Sequence, residues 1–258
     1  QRQMCIRDRL TDNKEHTPSS IAERMMEYRY DNYVMHIGEL LGNKDREKVT
    51  TLPLTKVIGQ TFSFPNNIII EKNEQRNRPL GIPDSEFHLL NGRAKMITKM
   101  PIRLLSLSLL DLRNRKVFWD VGFCTGSVSV EAKMQFPHLD IYAFEKREEG
   151  RDLMFNNTRR FGVPGIQPFI GDFAETDITD IPRPDAVFIG GHGGKMNEFV
   201  SKIVSVLNPN GVIVFNSVSD ESRQLFLDAI ESNNLKLDQS ITIKVDDFNA
   251  IDVMRASV

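Results

Sequence analysis

Asp120-Val-Gly-Phe-Cys-Thr-Gly-Ser127 follows a short apolar run, Lys116 to Trp119, and has the form of a strand-to-helix turn where a ligand meets bare backbone. Asp120 closes the strand. Gly122 and Gly126 supply unusual backbone angles and missing side chains, which let a small molecule come close. Phe123, Cys124 and Thr125 form the turn between them. Ser127 then opens an amphipathic segment through Phe136, whose first free N–H groups favour an anion in the same place.

About twenty residues on, a second strand pattern, Asp140 to Phe144, ends in Glu145. In a nucleotide-binding α/β unit, an acid at the tip of the second strand accepts hydrogen bonds from ribose hydroxyls. The dinucleotide fingerprint requires a second glycine where Cys124 stands, and its last glycine falls one residue early, at Gly126. A pyrophosphate cradle is therefore not expected. So wide and glycine-poor a turn suits a nucleoside carrying an amino acid, and S-adenosylmethionine answers that description. Its carboxylate would lie near the helix start and its ribose on Glu145. The plainer reading is a βα turn with a solubilising acid at a strand end.

The 258 residues suffice for one α/β domain and a smaller piece. A formal net charge of -2 and a pI near 6.3 speak against a general nucleic-acid binder, which carries a strongly basic face. No apolar run approaches the ~20 residues of a membrane helix, and no segment has the order of a signal peptide. The two cysteines, Cys5 and Cys124, lack metal-type spacing, and the five histidines are scattered, so no metal site is expected. A cytoplasmic protein without nucleic-acid or membrane partners is the expectation, and a homo-oligomer is expected as well.

Residues 1–9 read as a polar tail or an end artefact. Thr17-Pro18 is an N-cap with proline at the first helical position, leading a helix to about Tyr28. Tyr33 to Ile37 and Asn67 to Glu71 read as short strands, so residues 10–72 form a small partial α/β domain. Residues 73–90, with Pro79, Gly81 and Pro83, read as a linker. From residue 91 to 258 strands and helices alternate. Strands are expected near 116–121, 139–144, 166–171, 185–190, 211–216, 238–245 and 250–256. Helices are expected near 127–136, 148–161, 195–207 and 220–232. Alternation of this kind means a parallel sheet covered on both faces. The last strands follow each other without a helix and should pair antiparallel. A seven-stranded Rossmann-like sheet with a reversed last strand is the usual body of class I S-adenosylmethionine methyltransferases.

In such a sheet ligands bind beyond the carboxyl ends of the strands, where strand order reverses. After the third strand, Gly171-Asp172-Phe173 offers Asp172 as an acceptor for an adenine amino group, as a helix N-cap, or as both. The Phe173 backbone can read the ring edge. After the fourth strand comes Phe188-Ile-Gly-Gly-His-Gly-Gly194, with Gly190, Gly191, Gly193 and Gly194 around His192. Bare backbone there would suit a flat, bulky substrate. His192 is either a solvent-facing loop residue or an acid, base or carboxylate partner near neutral pH. An N-P-P-Y loop, expected for amine methylation of nucleic acid, is missing. Upstream, Arg93, Lys95, Lys99 and Arg103 form a basic run with little acid, either a solvated helix face or a guide for a polycarboxylate.

Together, Gly81-Ile-Pro-Asp84 with Phe87, Thr98-Lys99, Arg103, the Asp120–Glu131 stretch and the Phe188–Gly194 loop resemble, in order, the decarboxylating precorrin methyltransferases of cobalamin synthesis. The likeness runs from about Leu80 to the C-terminus. The stretch Leu10 to Lys72, with Leu10-Thr-Asp12, Thr17-Pro18 and Ile37-Gly-Glu39, resembles the C-terminal half of the C5-methylase often fused ahead of that domain. The resemblance implies methylation of carbon 15 of a precorrin with loss of carbon dioxide from the ring C acetate. It places the cofactor on Thr98, Gly122 to Gly126, Glu145 and Phe173, and implies no carbon-5 methylation by this chain alone. Lys99, Arg103, Arg93 and His192 are the candidates for positioning the substrate. Cys124 stands where relatives usually have glycine, Pro101 replaces an expected acid and His192 an expected serine. A methyltransferase for RNA or protein and an inactive cofactor-binding module are the alternative readings.

Overall fold

The computed structural model describes residues 7–11, 15–76, 78–91, 93, 96–246 and 249–258. Lys95 and Asp12, singled out in the sequence, lie outside the described residues. The chain divides into two compact units. One runs to Arg78 and includes Arg159–Gly162; the other comprises Pro79–Thr158 and Val163–Val258.

In the first unit, strands β1 (Arg7–Thr11), β2 (Tyr33–Glu39), β3 (Lys48–Pro53) and β4 (Asn66–Lys72) pair antiparallel in the order β1-β4-β2-β3. Helix α1 (Pro18–Glu27) begins with a reciprocal cap: the Ser20 N–H donates to the Thr17 hydroxyl and the Thr17 N–H to that of Ser20, at 3.1 and 3.0 Å. Ala22 of α1 is buried with Met35, Ile37 and Ile68 of the sheet and with Leu54 and Val57 of the one-turn helix α2 (Leu54–Val57). The strand pairing from Arg7 departs from the expected tail through Arg9. Strand β3 and helix α2 were not expected. β3 is an edge strand with every second residue solvent-exposed, so it lacks the apolar run that marks a strand.

The second unit opens with helix α3 (Met100–Leu110), followed by β5 (Val117–Val121), α4 (Ser127–Gln135), β6 (Asp140–Glu145), α5 (Glu149–Phe161), β7 (Ile166–Ile170), β8 (Ala186–Ile189), α6 (Met196–Val204), β9 (Val212–Ser217), α7 (Asp220–Ser232), β10 (Lys236–Ile243) and β11 (Ile251–Ser257). The sheet order is β10-β11-β9-β8-β5-β6-β7; β5 to β9 pair parallel, and β11 runs antiparallel between β9 and β10. Alternate residues feed opposite faces. Trp119, Val187 and Phe215 join a core with Phe199 of α6 and Phe226 of α7, while Phe118, Phe188 and Val214 pack against Ile102, Leu107 and Leu110 of α3 and Val128 of α4. Strand order reverses between β5 and β8, which opens a crevice at their carboxyl ends.

Two segments depart from expectation. Residues 79–90, read as a linker, belong to this unit: Ile82 and Phe87 are buried, the Gly81 N–H donates to Glu131, and the His88 N–H donates to Asn157 at 2.8 Å. The basic run ends inside α3, whose apolar residues hold it against the sheet.

Candidate active site

The turn after β5 is bound to its neighbouring strand by its own backbone. The N–H groups of Gly122 and Phe123 both donate to the Phe144 carbonyl, at 2.8 and 3.2 Å. Cys124 adopts φ +49°, and its N–H donates to Glu145 Oε2 at 2.8 Å. Glu145 Oε1 accepts from the backbone and guanidinium of Arg147, each at 3.0 Å. The acid expected to meet ribose thus also braces the turn, leaving the remaining lone pairs of its two oxygens for a ligand.

Gly122 (φ +78°) and Gly190 explain each other. A Cβ on Gly122 would lie 2.7 Å from the backbone of Gly191, and one on Gly190 would lie 2.8 Å from the Gly122 carbonyl oxygen. The two glycine loops therefore stack backbone on backbone, and bare chain at Gly190 is required first by the fold rather than by a bulky substrate. Gly126 (φ +71°) turns the chain into α4, and the nearest atoms to a Cβ there belong to Met154, not to a cavity.

Two cavities flank the stacked loops. The first, of about 440 Å³, is lined by Gly122, Cys124, Glu145, Arg147, Gly171, Asp172, Phe173, Gly190, Gly191, His192, Gly193 and Lys195. Asp172, read as an adenine acceptor or a helix N-cap, precedes a turn and not a helix. Its Oδ1 caps the following turn through the Ala174 N–H at 3.1 Å, and it also lines the cavity. Hydrogen bonds from Lys195 and Lys146 hold its carboxyl down at about 2, so it stays ionised. Phe173 packs edge-on against Phe144 and Phe199, both at 5.0 Å, and its N–H has no partner among the described residues. His192 Nδ1 accepts from the Gly194 N–H at 3.2 Å, and its ring stands edge-on to Phe215. Burial lowers its pKa, so the imidazole is neutral near pH 7 with its proton on Nε2. Gly194 stands outside this cavity wall.

The second cavity, of about 460 Å³, shares Met96, Gly122, Cys124 and Gly190 with the first. Its walls are mostly apolar (Ile97, Ile102, Phe123, Val128, Phe188, Ile251), with Thr98, Lys99, Asp120, Thr125 and Asn216 as its polar groups. Thr98 belongs to this cavity and not to the first. Asp120 is fully buried: Oδ2 accepts from the hydroxyl and N–H of Ser129 at 2.6 and 3.2 Å, while Oδ1 has no partner among the described residues. Burial pushes its carboxyl up to about 7. Thr125 Oγ1 is likewise buried without a partner. Cys124 turns its thiol to the Met96 carbonyl, 3.2 Å away, and burial, with the nearby Glu145 charge, raises its pKa to about 11; it is a packing group and not a nucleophile.

The substrate candidates separate. Lys99 lines the second cavity with its Nζ 3.6 Å from Asp84. Arg103 does not serve a substrate: it is fully buried, donates to Glu131, Asp84 and the carbonyls of Thr98 and Ile82, and stacks over Phe87. Its planar fork ties the Gly81–Asp84 segment to α3 and α4. Arg93 is exposed and lines neither cavity. No group of metal-ligating side chains and no helix long and apolar enough to cross a membrane occurs among the described residues.

A family described as "precorrin methyltransferase domain" matches residues 91–255. The chain belongs to this family. Among its curated relatives, the decarboxylating cobalt-precorrin-6B C(15)-methyltransferase of Salmonella typhimurium is 35% identical over 133 residues, which is 52% of this chain and 68% of that protein. The decarboxylating precorrin-6Y C(5,15)-methyltransferase of a Sinorhizobium species is 26% identical over 82% of this chain; the chain spans about half (51%) of its length. A crystal structure of precorrin-6y C5,15-methyltransferase from Geobacter metallireducens superposes with a TM-score of 0.62 at 27% identity, covering 71% of this chain and 99% of that one.

Within this precorrin methyltransferase domain the sequence reading missed Asn216 and the structural role of Glu131. The signal for Asn216 is the break in the apolar strand Val212-Ile-Val-Phe-Asn216, at the carboxyl end where ligands bind. Glu131 carries no local signal, because its partners Gly81 and Arg103 are 50 and 28 residues away.

Proposed function

We propose that the chain methylates carbon 15 of a precorrin, with loss of carbon dioxide from the ring C acetate, in cobalamin assembly in the cytoplasm. One observation carries the reading beyond family membership. A polar cavity with nucleoside-binding groups and an apolar cavity meet at the Gly122–Gly190 backbone contact.

The first cavity fits S-adenosylmethionine. Glu145 offers acceptors to ribose, and Asp172 an acceptor and the Phe173 N–H a donor to adenine; Asp120 Oδ1 and Thr125 Oγ1, without partners among the described residues, belong to the adjoining second cavity and serve the amino-acid end. When bound, this cofactor supplies an electrophilic methyl group. The nucleophile comes from the substrate: breaking the bond to the acetate carboxyl releases carbon dioxide and leaves its electron pair in the macrocycle, so the chain provides no general base. Lys99 holds a substrate carboxylate, and the apolar walls exclude the water that would stabilise the acetate. Alignment of this kind is worth about 7–11 kcal/mol of barrier. Residues 10–72 correspond in this reading to the C-terminal half of a C5-methylase domain.

Incubation with precorrin-6B and methyl-labelled cofactor tests this. Carbon dioxide and methyl uptake should appear in equal amounts, one methyl per macrocycle. Cofactor binding by calorimetry without either product would overturn the reading.

A further inference from the structure

We infer that Asn216 is a substrate-binding residue, donating its side-chain amide to a carboxylate of the macrocycle, with Ser106 as the positioning residue behind it. The inference rests on the proposed reaction.

Val121, Ile189 and Phe215 form one row across β5, β8 and β9. The next residues toward the ligand end are Gly122, Gly190 and Asn216. Two of these three positions carry no side chain, so Asn216 is the first side-chain polar group that a flat ligand lying over the glycine pair meets from the β9 side. It lines the second cavity along with Lys99. Ser106, fully buried on α3, places its hydroxyl 3.1 Å from Asn216 Oδ1 and 2.8 Å from the Ile102 carbonyl. The single Ser106 proton, shared between the Ile102 carbonyl and Asn216 Oδ1, keeps Oδ1 on the Ser106 side, so Nδ2 is left to the cavity, where it makes no hydrogen bond among the described residues. Asn216 is half-buried where the run of buried apolar residues Val212 to Phe215 ends, which leaves its amide nitrogen accessible to a ligand acceptor. A side-chain amide nitrogen is a donor only. In a polycarboxylate macrocycle the matching acceptors are the peripheral acids, and the Lys99 ammonium in the same cavity favours the same groups.

The test compares N216A, N216D and S106A with the wild-type protein. Cofactor affinity by calorimetry should stay within about twofold in all three, because Asn216 is absent from the cavity assigned to the ribose and adenine and is not among the groups assigned to the amino-acid end. The KM for precorrin-6B should rise about tenfold in N216A, the loss of one hydrogen bond to a charged group. N216D should rise further, since it replaces a donor with a like charge, and S106A should rise by only a few fold. Wild-type KM values in N216A and N216D would overturn the inference while leaving the proposed reaction standing. N216D at or below the KM of N216A would show an acceptor and overturn the donor role. Loss of cofactor binding in both Asn216 variants would assign a structural role instead and overturn it too. No turnover by the wild-type protein overturns the proposed reaction and this inference with it.

Discussion

Asp120 joins the fold and the site through its two oxygens. Oδ2 anchors the start of α4 through Ser129, while Oδ1 is buried without a partner among the described residues, and the residue lines the second cavity. Burial raises its pKa to about 7 from an ordinary 3.8. Between those values the folded protein holds a proton that the unfolded chain releases. The stability from this group is therefore fully present below the ordinary value and is lost as pH rises through about 7. At roughly 1.4 kcal/mol per pH unit, the window amounts to about 4 kcal/mol as an upper figure. Asp120→Asn removes the titration while keeping the side-chain shape. Melting temperature followed from pH 4 to 8 should decline less in Asp120→Asn than in the wild type. Parallel declines in the two proteins would mean that Asp120 is not the group responsible.

At the scale of elements, helix α3 shows how similar residues separate into structure and function. Arg103 and Lys99 are four positions apart, yet one is fully buried against Glu131 and the other reaches a cavity. Removing one partner of a buried pair leaves an uncompensated charge, which costs about 3–5 kcal/mol. Arg103→Ala should therefore lower the denaturation midpoint by that equivalent, and Arg103→Lys should recover little because it lacks the fork. Lys99→Ala should leave stability nearly unchanged and raise the requirement for macrocycle several fold without altering cofactor affinity. Equal stability losses in Arg103→Ala and Lys99→Ala would refute the division. Local chemistry made much of this unit readable in advance: apolar periodicity marked β5 to β11, and Gly122 and Glu145 pointed to a cavity that both line. What stayed hidden depends on distance in sequence. The burial of Arg103 requires Glu131, and the stacking of Gly122 on Gly191 joins loops that no local pattern brings together. Strand β3 stayed hidden for the opposite reason, since an exposed edge strand carries little apolar signal.

At the scale of the whole molecule, the question is whether the second unit needs the first. Every cavity-lining residue of the candidate site lies in Pro79–Thr158 or Val163–Val258. The two sheets are separate and each has its own core. The Geobacter chain is covered over 99% of its length by 71% of this one, so that extent of chain forms a structure by itself there. A unit of roughly 180 residues is also well within the size at which a single core suffices. A fragment from Pro79 to Val258 should accordingly fold cooperatively and bind S-adenosylmethionine within about threefold of the full chain. Calorimetry on the fragment and the full chain decides the matter: a cofactor affinity that collapses on removal of the first unit, in a fragment still folded by circular dichroism, would show that the site depends on it.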